Sequence, residues 1–191
     1  TVQSAKGKFD KAADDHHMQI NSINGQMTPA TVQFNLTALD QPINNIVAEV
    51  DIAFSSTDET RYVFEYMTPS LPYRAFTFSN KGTIQYNSKS GTKTFKDKEG
   101  KELTYAPDTW YHLGVKFDFV NKTISYYLNG EELPMEDPEI PSHHDFISTS
   151  RIQVYGVHSA SQTGIMYLDN LSLGQEQNSY VTSVMTAPLA G

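Results

Sequence analysis

The chain has 191 residues, 38% of them hydrophobic, which is enough for one domain with its own core. Its formal net charge of −8 disfavours nucleic acid and anionic membrane surfaces as partners. It contains no cysteine, which excludes disulfides, thiol catalysis and Cys-ligated zinc. No apolar run reaches the roughly 18 residues that a membrane-spanning helix needs.

Short runs rich in Val, Ile, Thr, Tyr and Phe recur along the chain between turn residues. Regular spacing of such runs predicts an all-β antiparallel sandwich. The predicted strands lie near 31–38, 46–55, 60–68, 73–79, 83–88, 92–96, 109–120, 122–129, 150–158 and 164–173. At most one short helix is predicted, near 9–18 or 143–147. We expect the domain to span 1–174, followed by a linker or trailing tail over 175–191.

Several of these strands alternate between an apolar and a mixed polar face, because successive side chains of a strand point to opposite sides. The positions predicted to face the core are Ile46, Ala48, Val50, Ile52, Phe54, Tyr62, Phe64, Tyr66, Tyr111, Leu113, Val115, Phe117, Phe119, Ile152 and Val154. The opposite positions carry carboxylate, amide, cationic and aromatic groups. Taken singly, each is also compatible with a plain solvated sheet face.

The mixture on the polar faces is the one that sugars require. Aromatic rings stack on the C–H face of a pyranose, while Arg and amide groups bind hydroxyls or carboxylates. We therefore predict one ligand-binding face. Its members are Trp110, His112, Lys116, Arg151, Gln153 and Tyr155, with Glu65, Arg74, Glu49 and Asp51 around them.

Two segments carry a family resemblance. The run DTWYHLGVKFD at 108–118, followed by KTISYYLNG at 122–130, resembles the central hairpin of concanavalin A-like, or laminin-G-like, jelly rolls. The run GIMYLDNLSL at 164–173 resembles their closing strand. The resemblance implies a concanavalin A-like jelly roll. It also implies a structural calcium, for which Asp169 of the closing strand and Asp10 would supply oxygen ligands.

The stretch AEVDIAF at 48–54 raises the possibility of a glycosidase. Laminarinase-like enzymes carry Glu-x-Asp and a second Glu on one strand, and Glu49 and Asp51 match the first two positions. Ala53 or Phe54 stands at the third position, and neither can transfer a proton. Retaining hydrolysis needs two carboxyl groups about 5–5.5 Å apart, so this strand predicts no hydrolase.

A polysaccharide lyase needs a group that neutralises the uronate carboxylate, together with a base and an acid. His112, Arg151, Gln153 and Tyr155 are of the right types. The Arg-rich and Tyr-Phe-Lys-Ala-Gly-like strands typical of jelly-roll alginate lyases are missing. Because these strands are missing, we expect a protein that is not an enzyme, and a polysaccharide lyase remains the alternative.

We expect non-catalytic binding of a polysaccharide on the concave sheet face, by an accessory module of a larger, secreted glycan-degrading enzyme. Lys116, Arg151 and Arg74 indicate an anionic glycan. Two alternatives remain: a lyase or glycoside hydrolase of the same fold, and a laminin-G-like adhesion module that binds protein. The fold alone does not decide among them.

Overall fold

A computed structural model describes residues 2–3, 17–21, 31–36, 43–67, 72–139, 151–157 and 164–175. Within these ranges thirteen β-strands form and no α-helix does. The strands are β1 (Val2–Gln3), β2 (His17–Asn21), β3 (Thr31–Asn35), β4 (Asn45–Phe54), β5 (Thr60–Met67), β6 (Pro72–Phe78), β7 (Ile84–Ser88), β8 (Gly91–Thr94), β9 (Tyr111–Asp118), β10 (Thr123–Leu128), β11 (Glu131–Glu132), β12 (Arg151–Val157) and β13 (Ile165–Gly174). In this part of the chain no helix is long and apolar enough to cross a membrane.

The strands form two antiparallel sheets. The seven-stranded sheet has the order β1-β2-β13-β4-β9-β10-β11, and the six-stranded sheet has the order β3-β12-β5-β6-β7-β8. The predicted all-β antiparallel sandwich is confirmed. All ten predicted strands are present, while β1, β2 and β11 were not predicted. His17 and Met18 belong to β2, so the helix predicted over 9–18 is wrong at its end. The rest of that segment and 143–147 lie outside the described residues.

The core lies between the two sheets. The inward positions predicted for β4, β9 and β12 are confirmed: those of β4, and Ile152 and Val154 of β12, are completely buried. In β9 the predicted core residues from 113 to 117 are at most 1% exposed, while Tyr111 is partly buried against the core. Aromatic pairs join the sheets: the rings of Tyr66 and Phe117 have centroids 5.5 Å apart, and those of Phe76 and Tyr126 lie 5.2 Å apart. Burial of these inner faces is the main favourable term holding the sandwich together.

Strand β5 departs from simple alternation. Gln153 of β12 pairs with Glu65, but Tyr155, only two residues on, pairs with Tyr62, so β5 holds one extra residue there. Phe64 lies at this β-bulge with a φ of 56°, a left-handed conformation that is rare outside glycine. The bulge turns Val63 and Phe64 both inward, where both are buried.

The β10–β11 hairpin closes through Asn129-Gly130, a pair of residues that is typical of two-residue hairpin turns. Leu128 pairs with Glu131, which leaves a two-residue loop. Both loop residues have positive φ, 52° and 83°, as in a type I′ turn. That turn matches the right-handed twist of its strands and favours Asn followed by Gly.

A buried ion pair closes one end of the sandwich. Glu59 and Arg61 are each 1% exposed, and their side-chain atoms Oε2 and Nη2 lie 3.5 Å apart. Glu59 Oε1 also accepts a hydrogen bond of 3.0 Å from the backbone N–H of Gly164, just before β13. A Cβ at position 164 would come within 2.3 Å of Arg61 Nη2, so only glycine fits against this pair.

The segment that follows β11, described up to residue 139, lies along the β8 edge of the six-stranded sheet. Lys93 Nζ lies 2.7 Å from Glu136, and Lys89 pairs with Glu139. Leu133 donates its N–H to the carbonyl of Tyr126 at 2.8 Å. These contacts tie the edges of the two sheets together.

Candidate functional site

The ten predicted ligand-binding residues divide between two different sheets. The seven-stranded sheet carries Glu49 and Asp51 on β4, His112 and Lys116 on β9, and Trp110 one residue before β9. The six-stranded sheet carries Glu65 on β5, Arg74 on β6, and Arg151, Gln153 and Tyr155 on β12. The structure describes Arg151 and Tyr155 by their backbone pairing, and their side chains lie outside the described part of the chain. The prediction that all ten share one face is therefore wrong.

Two rows of polar and aromatic residues cross the six-stranded sheet. In one row, Gln153 pairs with Glu65, and Glu65 pairs with Arg74. In the next row, Tyr155 pairs with Tyr62, Tyr62 pairs with Thr77, and Thr77 pairs with Gln85. Residues opposite one another in a ladder share a face, so the rows form a continuous strip over four strands.

Glu65 is the buried central residue of the row formed by Gln153, Glu65 and Arg74, and it binds the other two side chains. It is 1% exposed, so it is too deeply buried to contact a ligand as predicted. Its Oε2 accepts a hydrogen bond of 2.9 Å from Arg74 Nε, and its Oε1 accepts one of 2.8 Å from Gln153 Nε2. Glu65 thus orients two side chains of the predicted site, because charge-assisted hydrogen bonds of this length are strong and directional.

Tyr62 is a site residue that the sequence pattern places on the wrong face. Alternation predicts it in the core with Phe64 and Tyr66, but the bulge in β5 turns Tyr62 outward. The guanidinium carbon of Arg74 lies 4.2 Å from the centroid of the Tyr62 ring. This is a cation–π contact, which adds to the Glu65 bond in fixing Arg74. Nothing in the local sequence signals the bulge, which shows only as a shift in the register between β5 and β12.

A hollow of about 260 Å³ opens over this strip. Its lining is almost entirely polar and comes from β5 to β8 and the turn after β6. The lining residues are Thr60, Tyr62, Arg74, Thr77, Ser79, Asn80, Lys81, Gln85, Asn87 and Thr92. Only two of these are charged at neutral pH, Arg74 and Lys81, and both are cations, although the whole chain carries a net charge of −8.

The contribution of β7 and β8 to this hollow was not predicted. Gln85 and Asn87 are half-buried, while Ile84 and Tyr86, which alternate with them, face the core. That alternation is visible in the run IQYNS at 84–88 and could have identified two of the missed residues. Gln85 and Asn87 lie near Arg74 and Tyr62 because of the order of the strands in the sheet, and this order cannot be predicted from the run at 84–88 alone.

The outer face of the seven-stranded sheet carries a separate network centred on Asp51. Asp51 Oδ1 lies 2.6 Å from His112 Nδ1, and Oδ2 accepts a hydrogen bond of 2.6 Å from Asn170 Nδ2. Asn170 follows Asp169 in a bulge of β13, with a φ of 48°. Both Asp51 oxygens therefore join β4 to its two neighbouring strands. Glu49, two residues earlier, is exposed on the same face.

The predicted calcium ligands are only partly described. Asp169 Oδ1 accepts a hydrogen bond of 2.7 Å from the backbone N–H of Asn170, which occupies one of its oxygens. Asp10 lies outside the described residues. Within the described ranges no three His, Asp or Glu side chains gather closely enough to hold a metal ion. The calcium site therefore stays a prediction that rests on Asp169.

No protein-family model matches the sequence, and no curated protein is similar to it. Solved structures share its fold. One is a sialidase, with a TM-score of 0.62 and 10% identity over 87% of this chain and 16% of the sialidase. Another is the binding domain of botulinum neurotoxin DC in complex with rat synaptotagmin II, with a TM-score of 0.57 and 7% identity over 97% of this chain and 44% of that one.

A third structure concerns cell entry of botulinum neurotoxin type C, which depends on interaction with two ganglioside molecules. It has a TM-score of 0.55 and 9% identity, over 97% of this chain and 44% of that chain. The present chain thus spans less than half the length of each of these proteins. Identities this low indicate shared fold and not shared activity. The two antiparallel sheets and these neighbours agree that the chain has the concanavalin A-like jelly-roll fold.

Proposed function

We propose that the chain is a non-catalytic polysaccharide-binding module that uses the outer face of its six-stranded sheet. The observation that carries the proposal is the strip of Tyr62, Arg74, Thr77 and Gln85 across neighbouring strands, with a hollow above it. It combines an aromatic ring, a fixed cation, hydroxyls and amides, which is the set of groups that a sugar needs.

The charge of the lining favours an anionic glycan. Arg74 and Lys81 line the hollow, and none of its described lining residues is acidic. Glu65 neutralises part of the Arg74 charge from below, but it is buried and does not face a ligand. A carboxylated sugar would therefore meet cations here, on a protein whose surface otherwise repels it.

The same lining favours binding over hydrolysis. A glycosidase needs two carboxyl groups, one on either side of the scissile bond, and the described residues that line the hollow include none. Glu49 and Asp51 lie on the opposite sheet, and both oxygens of Asp51 are engaged by His112 and Asn170. We also propose that the chain is an accessory module of a secreted glycan-degrading enzyme. A structural calcium ion bound at Asp169 is part of the same proposal.

Affinity gel electrophoresis tests the proposal. The gels would contain alginate, polygalacturonate or hyaluronate as anionic polymers, and dextran, xylan or laminarin as neutral ones. We expect retardation of the wild type by an anionic polymer, weakening as salt screens the cations. Parallel assays would follow new reducing and unsaturated ends. New ends would refute the non-catalytic proposal, and no retardation by any polymer would shift support to the laminin-G-like, protein-binding alternative.

Matched variants locate the binding face. Lys81→Ala should lower the affinity for the retarding polymer by about 1.5- to 5-fold, as expected for one exposed charge. Lys116→Ala removes the same charge from the other sheet and should leave the affinity unchanged. Tyr62→Ala should weaken it at least about fivefold, while Tyr62→Phe keeps the ring and most of the affinity. Equal losses for Lys81→Ala and Lys116→Ala would contradict the assignment of the face.

A further inference from the structure

One side chain of the hollow has an unexplained polar atom. Thr77 is 6% exposed, and its hydroxyl oxygen Oγ1 is buried without a hydrogen-bond partner. In the described part of the chain, only Arg61 Nη2 shares this property, and Arg61 lies against the buried carboxylate of Glu59. Native proteins leave few such groups unsatisfied, so the Thr77 hydroxyl needs an explanation.

The position of Thr77 connects this hydroxyl with the proposed glycan site. Thr77 lies in β6 between Phe76 and Phe78, which face the core. It lines the hollow, and the residues opposite it on the neighbouring strands are Tyr62 and Gln85. The hydroxyl therefore belongs to the residue at the middle of the strip.

We propose that Thr77 is the specificity-determining residue of the hollow, and that its Oγ1 forms a hydrogen bond with one hydroxyl of a single bound sugar residue. This inference rests on the proposed function. The hollow of about 260 Å³ is smaller than the roughly 300–1,000 Å³ of pockets for drug-sized ligands, which suits one ring of a longer chain. The hydroxyl is covered in the ligand-free protein. A sugar hydroxyl reaches it when a flanking side chain changes rotamer, which needs no movement of the backbone.

A buried hydroxyl with a single possible partner discriminates sharply. A sugar that presents a hydroxyl at this point satisfies Oγ1, whereas a deoxy sugar leaves it unpaired within the complex. Sites built in this way reject the analogue that lacks the group far more strongly than apolar sites reject an extra group. The class of ligand is thus a carboxylated sugar with a free hydroxyl directed at the sheet floor.

The variant Thr77→Val tests the inference because two readouts should move in opposite directions. Valine keeps the shape of threonine and removes the unsatisfied hydroxyl, so the melting temperature should rise by about 2–4 °C. Affinity for the polymer that retards the wild type most strongly should fall about tenfold. Thr77→Ser keeps the hydroxyl and should keep affinity within about threefold. Thr104→Val, at an exposed threonine outside the hollow, should change neither readout.

Each outcome bears on a different claim. A wild type that binds together with a Thr77→Val variant that binds equally well would overturn the role of Thr77 and leave the proposed function standing. A Thr77→Val variant that loses both stability and affinity would also overturn it, because the hydroxyl would then have a structural partner. A wild type that binds none of the six polymers would refute the proposed function, and the Thr77 inference with it.

Discussion

Replacing Arg61 by methionine should destabilise this protein more than the loss of any surface charge. Arg61 Nη1 donates hydrogen bonds to the carbonyls of Ser56 at 2.9 Å and Glu59 at 3.3 Å, and its guanidinium lies 4.9 Å from the Phe54 ring. Methionine retains the length and apolar packing of the side chain. What it removes is the charge that faces the Glu59 carboxylate, which is itself 1% exposed.

The expected loss follows from that burial. Removing one partner of a buried ion pair leaves an uncompensated charge and costs about 3–5 kcal/mol. The backbone N–H of Gly164 remains as a donor to Glu59, but one neutral donor does not replace a cation. For a chain of this size each kcal/mol lowers the melting temperature by about 2–4 °C, so Arg61→Met should lower it by about 6–20 °C.

Thermal unfolding at pH 7, followed by circular dichroism, measures this change. The matched control is Lys98→Met, because Lys98 pairs with Glu131 at 3.2 Å where both side chains are at least 70% exposed. That variant should cost less than about 1 kcal/mol. The double variant Glu59→Met with Arg61→Met removes both charges and should recover part of the loss. A fall of less than about 3 °C for Arg61→Met, or no recovery in the double variant, would refute the reasoning.

Three further predictions concern pH and calcium. Burial raises the pKa of Tyr73 and of Tyr105 to about 12, so the stability that these two residues provide is complete below about pH 10 and is lost as the pH rises from about 10 to about 12. The absorbance of phenolate should therefore appear together with unfolding. Ionisation of these tyrosines near pH 10 in a protein that stays folded would contradict this prediction. The hydrogen bond from Lys93 lowers the pKa of Glu136, so the contact between the two side chains is complete at pH values above the ordinary carboxyl pKa and is lost as the pH falls through the lowered pKa. Proteolysis of the loop that carries Glu136 should therefore accelerate in acid or at high salt. A rate of proteolysis that changes with neither would argue against the contact. Millimolar calcium should raise the melting temperature of the wild type but not of Asp169→Ala, whereas equal responses would remove Asp169 from the site.

Local patterning determined much of this fold. The alternation in β4, β9 and β12 predicts which side chains are buried, because the pleat of a strand fixes the direction of each side chain without reference to its partners. Asn129-Gly130 likewise predicts a tight turn, since its backbone conformation depends on those two residues alone. The sequence by itself thus establishes an all-β sandwich and most of its inward faces.

Only the tertiary structure decided which outward faces are one surface. His112 and Gln153 lie on strands with the same alternation but in different sheets, and no local pattern specifies the sheet that a strand joins. Tyr62 faces outward because β5 bulges in its register with β12. Glu65 is buried beside Arg74 and Gln153, which belong to the two neighbouring strands and both donate hydrogen bonds to it. Strand partners lie far apart in sequence, with Gln153 88 residues from Glu65. The candidate site is therefore a property of non-local pairing, which alternation with a period of two does not encode.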